Sequence, residues 1–239
     1  MQKNIANKYV GECMLENMPK DLKTHAFVLK RTNYGEADRI LNLITPEGKI
    51  AVMAKGVRKP KSKLAGGVEM FSLTEVNLHF GKTKMAVLTG AKMVRFYGEI
   101  LKDLSRMEIA SEILKRISRA ADSVDSVDFF KIVDECLVAL NDGRNIDVIK
   151  AWFTLNLTRV MGEEINLYCD NNGEKLKADK KYRWDYNEKV FYVSSNGEID
   201  TNTIKILRLL TTTDLAVAWR IKGIEKYMPE ILEILKSLT

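Results

Sequence analysis

Histidine is almost missing from this 239-residue chain, which has only His25 and His79, and proline is scarce at four residues. Both histidines fall in alternating, strand-like stretches with no orienting partner in view, so neither reads as a catalytic base. No glycine-rich phosphate loop, GxSxG elbow, HExxH helix or EF-hand spacing is present; Gly66-Gly67 reads as a turn. An enzyme is therefore not expected, and no catalytic residue is assigned. The three cysteines, Cys13, Cys136 and Cys169, are odd in number and widely spaced, which argues against a disulfide framework and for a reducing, cytoplasmic compartment. No apolar run approaches the ~20 residues of a membrane span, and the first 24 residues lack a secretory apolar stretch. With 46% hydrophobic residues, the chain has enough apolar side chain to bury a core, which excludes wholesale disorder.

A local absence is more telling. From Gly48 through Val68 there is no acid, while Lys49, Lys55, Arg58, Lys59, Lys61 and Lys63 are all basic. The net charge of +6 is correspondingly uneven: residues 1–100 hold 17 bases against 9 acids, and the remainder 21 against 23. A basic binding module joined to a near-neutral body is the expected organisation.

Residues 1–23 show no period and read as a loose leader, with Met14 and Met18 as alternative starts. Alternation then sets in over His25–Asn33 and Asp38–Thr45, and Thr45-Pro46-Glu47-Gly48 makes a turn into a strand over Lys49–Gly56. Two further strands are expected over Phe71–Phe80 and Lys84–Phe96, joined at Gly81-Lys82-Thr83. Five short strands without an intervening helix predict a small barrel or sandwich. After Gly98 the period changes from 2 to 3.6. A first helix is expected with Ile100, Leu104, Met107, Ser111 and Leu114 on its inner stripe, thickened by Leu101, Ile113 and Ile117. Two more follow, from about Val127 to Leu140 and from about Ile146 to Met161. An aromatic-rich insert over Glu163–Gly197 predicts one hairpin, Tyr182–Asp185 with Val190–Val193, before helices over Thr201–Leu210 and from Asp214 onward, kinked or restarted at Pro229. The fold class is α+β.

Arg58-Lys59-Pro60-Lys61-Ser62-Lys63 gathers four cations where a strand leaves the sheet, with Pro60 expected to keep the segment extended as a track. Phosphates spaced along a strand demand such a row, and each one neutralised releases counterions. Lys82 and Lys84 would extend that surface, and Tyr34, in a polar turn, is the candidate for base stacking.

The order, spacing and turn residues of His25–Arg39, Thr45–Lys49, Ala54–Leu64 and Phe71 resemble the opening of the RecO family of bacterial DNA repair proteins, over about 50 positions. The helical body after residue 98, the break at Met161-Gly162 and Lys236-Ser237-Leu238 follow the same layout. The resemblance implies an OB-fold barrel over residues 24–97 and a helical domain over 98–239, interrupted by a zinc-knuckle-like insert at 163–197. It implies binding to single- and double-stranded DNA, annealing of complementary strands, contact with RecR and with the SSB C-terminal tail, indirect service to RecA, and a nucleoid-associated place in the cytoplasm. Many members carry two CxxC pairs in the insert; here Cys169 stands alone, with Asn172 where the second cysteine would fall, so no zinc and no other cofactor is expected. Arg39, which matches the family pattern, joins Lys49, Lys55, Arg58, Lys59, Lys61, Lys63, Lys82 and Lys84 as the expected DNA contacts. Lys115, Arg116, Arg119 and Arg159 are the helical cations expected to meet partner proteins. Glu36 and Asp38 are expected to serve structure, pairing with Arg39 or capping the turn. An OB-fold RNA-binding protein, or an adaptor whose basic loop grips an acidic partner, would also suit these residues.

Overall fold

The computed structural model describes residues 19–81 and 85–238, which form two compact units divided after Asn141. The first contains a closed five-stranded barrel: β1 (Asp21–Tyr34), β2 (Asp38–Thr45), β3 (Gly48–Ala54), β4 (Ser72–His79) and β5 (Ala86–Phe96), in the order β1-β2-β3-β5-β4. Only the β3–β5 pairing is parallel, and β1 closes the ring by pairing with β4 over Asp21–Ala26 and with β2 from Phe27 onward. This is the OB-fold. Its interior is lined by Ala26, Val28, Leu41, Leu43, Ile50, Val52, Val76, Leu78 and Leu88. Gly67 marks a close approach between the β3–β4 connection and β5, since a Cβ there would lie 2.6 Å from the Cβ of Ala91.

The alternation expected in β1 holds in direction but not in consequence. Ala26 and Val28 enter the barrel, yet Phe27 and Leu29 on the other face are equally buried. Helices α1 (Leu104–Ala120) and α2 (Asp128–Asn141) pack on that outer surface, where Phe27 meets Phe130 at 5.2 Å and Tyr97 at 6.3 Å between ring centres. A side chain like Phe27, withdrawn fully from water, contributes about 1.5–3 kcal/mol. These two helices therefore belong to the barrel's unit, whereas a helical domain was expected to begin at residue 98. The strand also begins at Asp21, three residues ahead of the expected boundary, and the rest of the expected leader, residues 1–18, lies outside the described residues.

The inner stripe of α1 keeps the expected Ile113, Leu114 and Ile117 but not Leu104 or Ser111. Ala110, Ile113, Leu114, Ile117 and Ala120 are buried, while Leu104 and Ser111 are exposed. A 3-10 turn over Gly98–Lys102 precedes the helix, and Asp103 caps its start by accepting the Arg106 N–H at 3.2 Å. That break resets the phase, so the position of Ile100 does not carry into α1.

The second unit holds α3 (Ile146–Val160), the hairpin β6 (Tyr182–Asp185) and β7 (Val190–Val193), α4 (Thr201–Thr212), α5 (Leu215–Ala218) and α6 (Met228–Leu235). Helix α3 is its core, buried from Val148 through Thr158 except at Lys150. Pro229 sits in the first turn of α6, where its missing N–H costs nothing, so it restarts a helix rather than kinking one. The hairpin is the expected one, residue for residue. Phe191 packs edge-on to Trp184 at 4.8 Å and to Tyr182 at 6.4 Å. Cys169 opens a tight turn governed by Asp170, whose buried carboxylate accepts the N–H groups of Asn172 (2.9 Å) and Glu174 (3.0 Å). Aromatic packing and backbone hydrogen bonds to one carboxylate thus organise the insert. Among the described residues, no helix is long and apolar enough to cross a membrane.

Candidate nucleic-acid interface

In an OB-fold the outer face of strands 2 and 3 is a common oligonucleotide surface. Here that face is largely withdrawn from solvent: Ile44 is 0%, Ala51 5% and Asn42 9% exposed. Lys49 explains part of the closure and corrects an expectation. Its ammonium donates to the Asp122 carboxylate and to the Ser118 carbonyl oxygen, both at 2.7 Å, at the C-terminal end of α1. Its side chain retains 4% exposure. A lysine tied to a helix C-terminus and sealed from water cannot meet a phosphate, so Lys49 leaves the set of DNA contacts.

Of the other expected contacts that are described, Arg39 lies at the start of β2 and the rest lie beyond the strands, on the β3–β4 loop that meets the β1–β2 turn. Asp38 accepts the backbone N–H of Gly56 at 2.7 Å, and the N–H of Arg58 reaches the Ala37 carbonyl at 2.9 Å. The Arg58 guanidinium also donates to the Gly35 carbonyl at 3.3 Å. Asp38 therefore does the structural work expected of it, capping the loop rather than pairing with Arg39. The partner of Arg39 is the Asn33 amide oxygen, at 3.1 Å across the β1–β2 register. Glu36 is exposed in the same turn.

The loop itself is not an extended track. The N–H of Lys59 bonds to the Gly56 carbonyl at 3.1 Å, and that of Ser62 to the Lys59 carbonyl at 2.9 Å. The second bond closes a β-turn with Pro60 at its first central position, where a fixed φ near −65° is an advantage. Successive turns concentrate the charges of Lys55, Arg58, Lys59, Lys61 and Lys63, all exposed, into a knot instead of a row. Among the described residues, none of these five, nor Arg39, takes part in a salt bridge, whereas Arg31 and Lys23 elsewhere on the barrel are paired with Glu69 and Glu75. Lys82 and Lys84 lie outside the described residues.

Tyr34 projects beside this knot with 55% of its surface exposed. Phe71 and Tyr97 are core, and Phe80 is half-buried against it. The contribution of Asn33, which steadies Arg39, was not foreseen; pairing the two strands across the Gly35–Ala37 turn would have placed the two residues opposite each other.

The expected partner-binding cations divide between the units. Lys115 is exposed, 3.9 Å from Glu112, and lines an open cleft with Phe96, Leu101 and Met107. Arg116 is half-buried, and burial pulls its guanidinium below its usual pKa. Arg119 is exposed in the last turn of α1, and Arg159 lies in the last turn of α3, in the second unit. His79 bonds Asp21 at 2.7 Å across β4 and β1, and His25 is exposed.

Residues 18–97 match the family described as "Recombination protein O N terminal". The chain is similar to the DNA repair protein RecO of Dehalococcoides mccartyi, 29% identical over 223 residues, covering 89% of this chain and 87% of that one. It is 28% identical to the RecO of Heliobacterium modesticaldum over 230 residues, covering 90% and 82% of the two chains. With the RecO of Exiguobacterium sp. it shares 32% identity over 142 residues, 59% of this chain and 57% of the relative.

Proposed function

We propose that this chain acts in DNA repair as the RecO proteins it resembles do, and that within that role its barrel grips DNA by the phosphates on the loop knot rather than on the sheet face. The observation that carries the reading is the set of six rim cations, Arg39 at the start of β2 and Lys55, Arg58, Lys59, Lys61 and Lys63 on the β3–β4 loop, exposed or half-exposed and free of acidic partners among the described residues, where Asp38 and Ala37 lace the two segments together. Contacts of this kind neutralise phosphate without reading sequence. Held so, a single strand keeps its base edges available, and a second strand meets less repulsion because charge on the first is already compensated. Annealing then needs no covalent chemistry, and both single- and double-stranded DNA are ligands. Tyr34 offers one stacking surface for an unpaired base. In the same reading, RecR and the acidic SSB tail meet the helical cations Lys115, Arg116, Arg119 and Arg159, and RecA is served indirectly, on strands that SSB has coated.

The direct test is annealing of two complementary oligonucleotides, naked and SSB-coated, with matched RNA strands as competitors. Acceleration that persists on coated DNA and resists RNA competition is the expected result. No acceleration in either form would remove the mediator reading, and preferential loss to RNA would make the barrel an RNA module.

A further inference from the structure

The second unit contains a cleft lined by none of the residues assigned above to DNA. It encloses about 750 Å3 between the β6–β7 hairpin and α6. Tyr186, exposed, and Tyr192, half-buried, contribute aromatic surface beside the largely buried Trp184, and Glu198, Glu230 and Glu233 contribute carboxylates, against a single cation, Arg183. Glu233 is engaged by Lys236. Among the described residues, Glu198 and Glu230 have no cationic partner. Glu230, near the start of α6, is half-buried and accepts only the Thr203 hydroxyl. Burial, with added repulsion from Asp200 and Glu198, raises its pKa above the usual carboxylate range.

These features select one kind of guest. Aromatic faces carry the negative end of the ring quadrupole, so rings and carboxylates attract the same charge. Phosphates and acidic peptides are disfavoured. A divalent ion is poorly served, since the described residues hold no cluster of three or more metal-ligating side chains. What remains is an organic cation, an ammonium or guanidinium on an apolar stem, whose methylene groups pack on the rings while its head meets the carboxylates. Tyr186 is 48% exposed and Glu198 and Glu233 stand in solvent, so the cleft is open and suits a chain segment more than an enclosed small molecule.

We propose that this cleft docks a basic segment of a partner protein, receiving a lysine or arginine side chain between the exposed ring of Tyr186 and the carboxylates of Glu198 and Glu230. The site is complementary to cations, opposite in sign to the phosphate-binding knot, and stands whether or not the DNA reading does.

The experiment is fluorescence anisotropy of a labelled tetra-arginine peptide with the full chain, at about 100 mM salt. The double substitution Glu198→Gln and Glu230→Gln is expected to weaken binding about fivefold, and Tyr186→Leu about twofold. Glutamine at 230 still accepts the Thr203 hydroxyl, and Tyr186 is exposed, so both variants should fold. A control, Glu163→Gln with Glu164→Gln, removes two exposed charges from the same unit and should leave affinity unchanged, and a tetra-glutamate peptide should not bind. Unchanged binding in the cleft variants, or an equal loss in the control, would overturn the proposal. So would a parallel fall in affinity for a single-stranded oligonucleotide, because the cleft would then belong to the nucleic-acid path.

Discussion

Replacing Arg58, Lys59, Lys61 and Lys63 together by alanine separates a phosphate-gripping knot from a merely solvated loop. If all six rim cations touch phosphates, log K for a single strand falls against log salt with a slope of about −4, at roughly −0.7 per phosphate. Removing four leaves Arg39 and Lys55 and a slope of about −1.4. Between 50 and 200 mM salt the intact protein then loses about 300-fold in affinity and the variant only about 7-fold. Because Arg58 also bonds the Gly35 carbonyl, the triple variant that spares it is the cleaner comparison, with an expected slope of about −2. Fluorescence anisotropy over a salt series on oligonucleotides of different sequence provides the measurement. An unchanged slope, or a loss confined to certain sequences, would refute the reasoning, since phosphate contacts are blind to the base.

Lys49→Met should leave that salt slope intact and lower stability in urea by about 1–3 kcal/mol, toward the smaller figure because the stranded Asp122 carboxylate is 40% exposed and can rehydrate. Asp38→Ala should weaken DNA binding a few-fold by releasing Gly56, at a stability cost of about 1–3 kcal/mol, while Asp38→Asn, whose amide oxygen can still accept, should recover most of both. The Tyr97 hydroxyl donates to Asp134 at 3.0 Å, and burial first, then that carboxylate, raises its pKa well above the ordinary value. Above about pH 10 the unfolded chain therefore releases a proton that the folded chain retains, so stability should fall by about 1.4 kcal/mol per pH unit from this group. Tyr97→Phe should remove that component from the alkaline unfolding curve; curves of equal steepness would show that the hydroxyl ionises freely in the fold.

Local grammar carried most of the fold. Thr45-Pro46-Glu47-Gly48 and the hairpin around Asn187 announce their turns within a few residues, and the strands flanking them follow. The candidate site was legible in composition but not in shape. That Arg58 through Lys63 carry uncompensated charge is plain from the residues; that Pro60 folds them into a turn depends on a bond between the Ser62 N–H and the Lys59 carbonyl, equally consistent with Pro60 as the extended reading was. The fate of Lys49 was out of reach, because its partner Asp122 lies 73 residues away and arrives only when α1 packs on the barrel. For the same reason the burial of Phe27 on the outer face of β1 could not be told from ordinary alternation.

The covering of the β2–β3 face by α1 and α2 has a consequence for turnover. A wall that stacks every base must be peeled from its ligand one nucleotide at a time, whereas a grip confined to an edge lets go once a handful of ionic contacts exchange with salt or with another protein. An oligonucleotide on this barrel should accordingly leave quickly, and leave faster as ionic strength rises, which suits a carrier whose cargo must pass to the next binder.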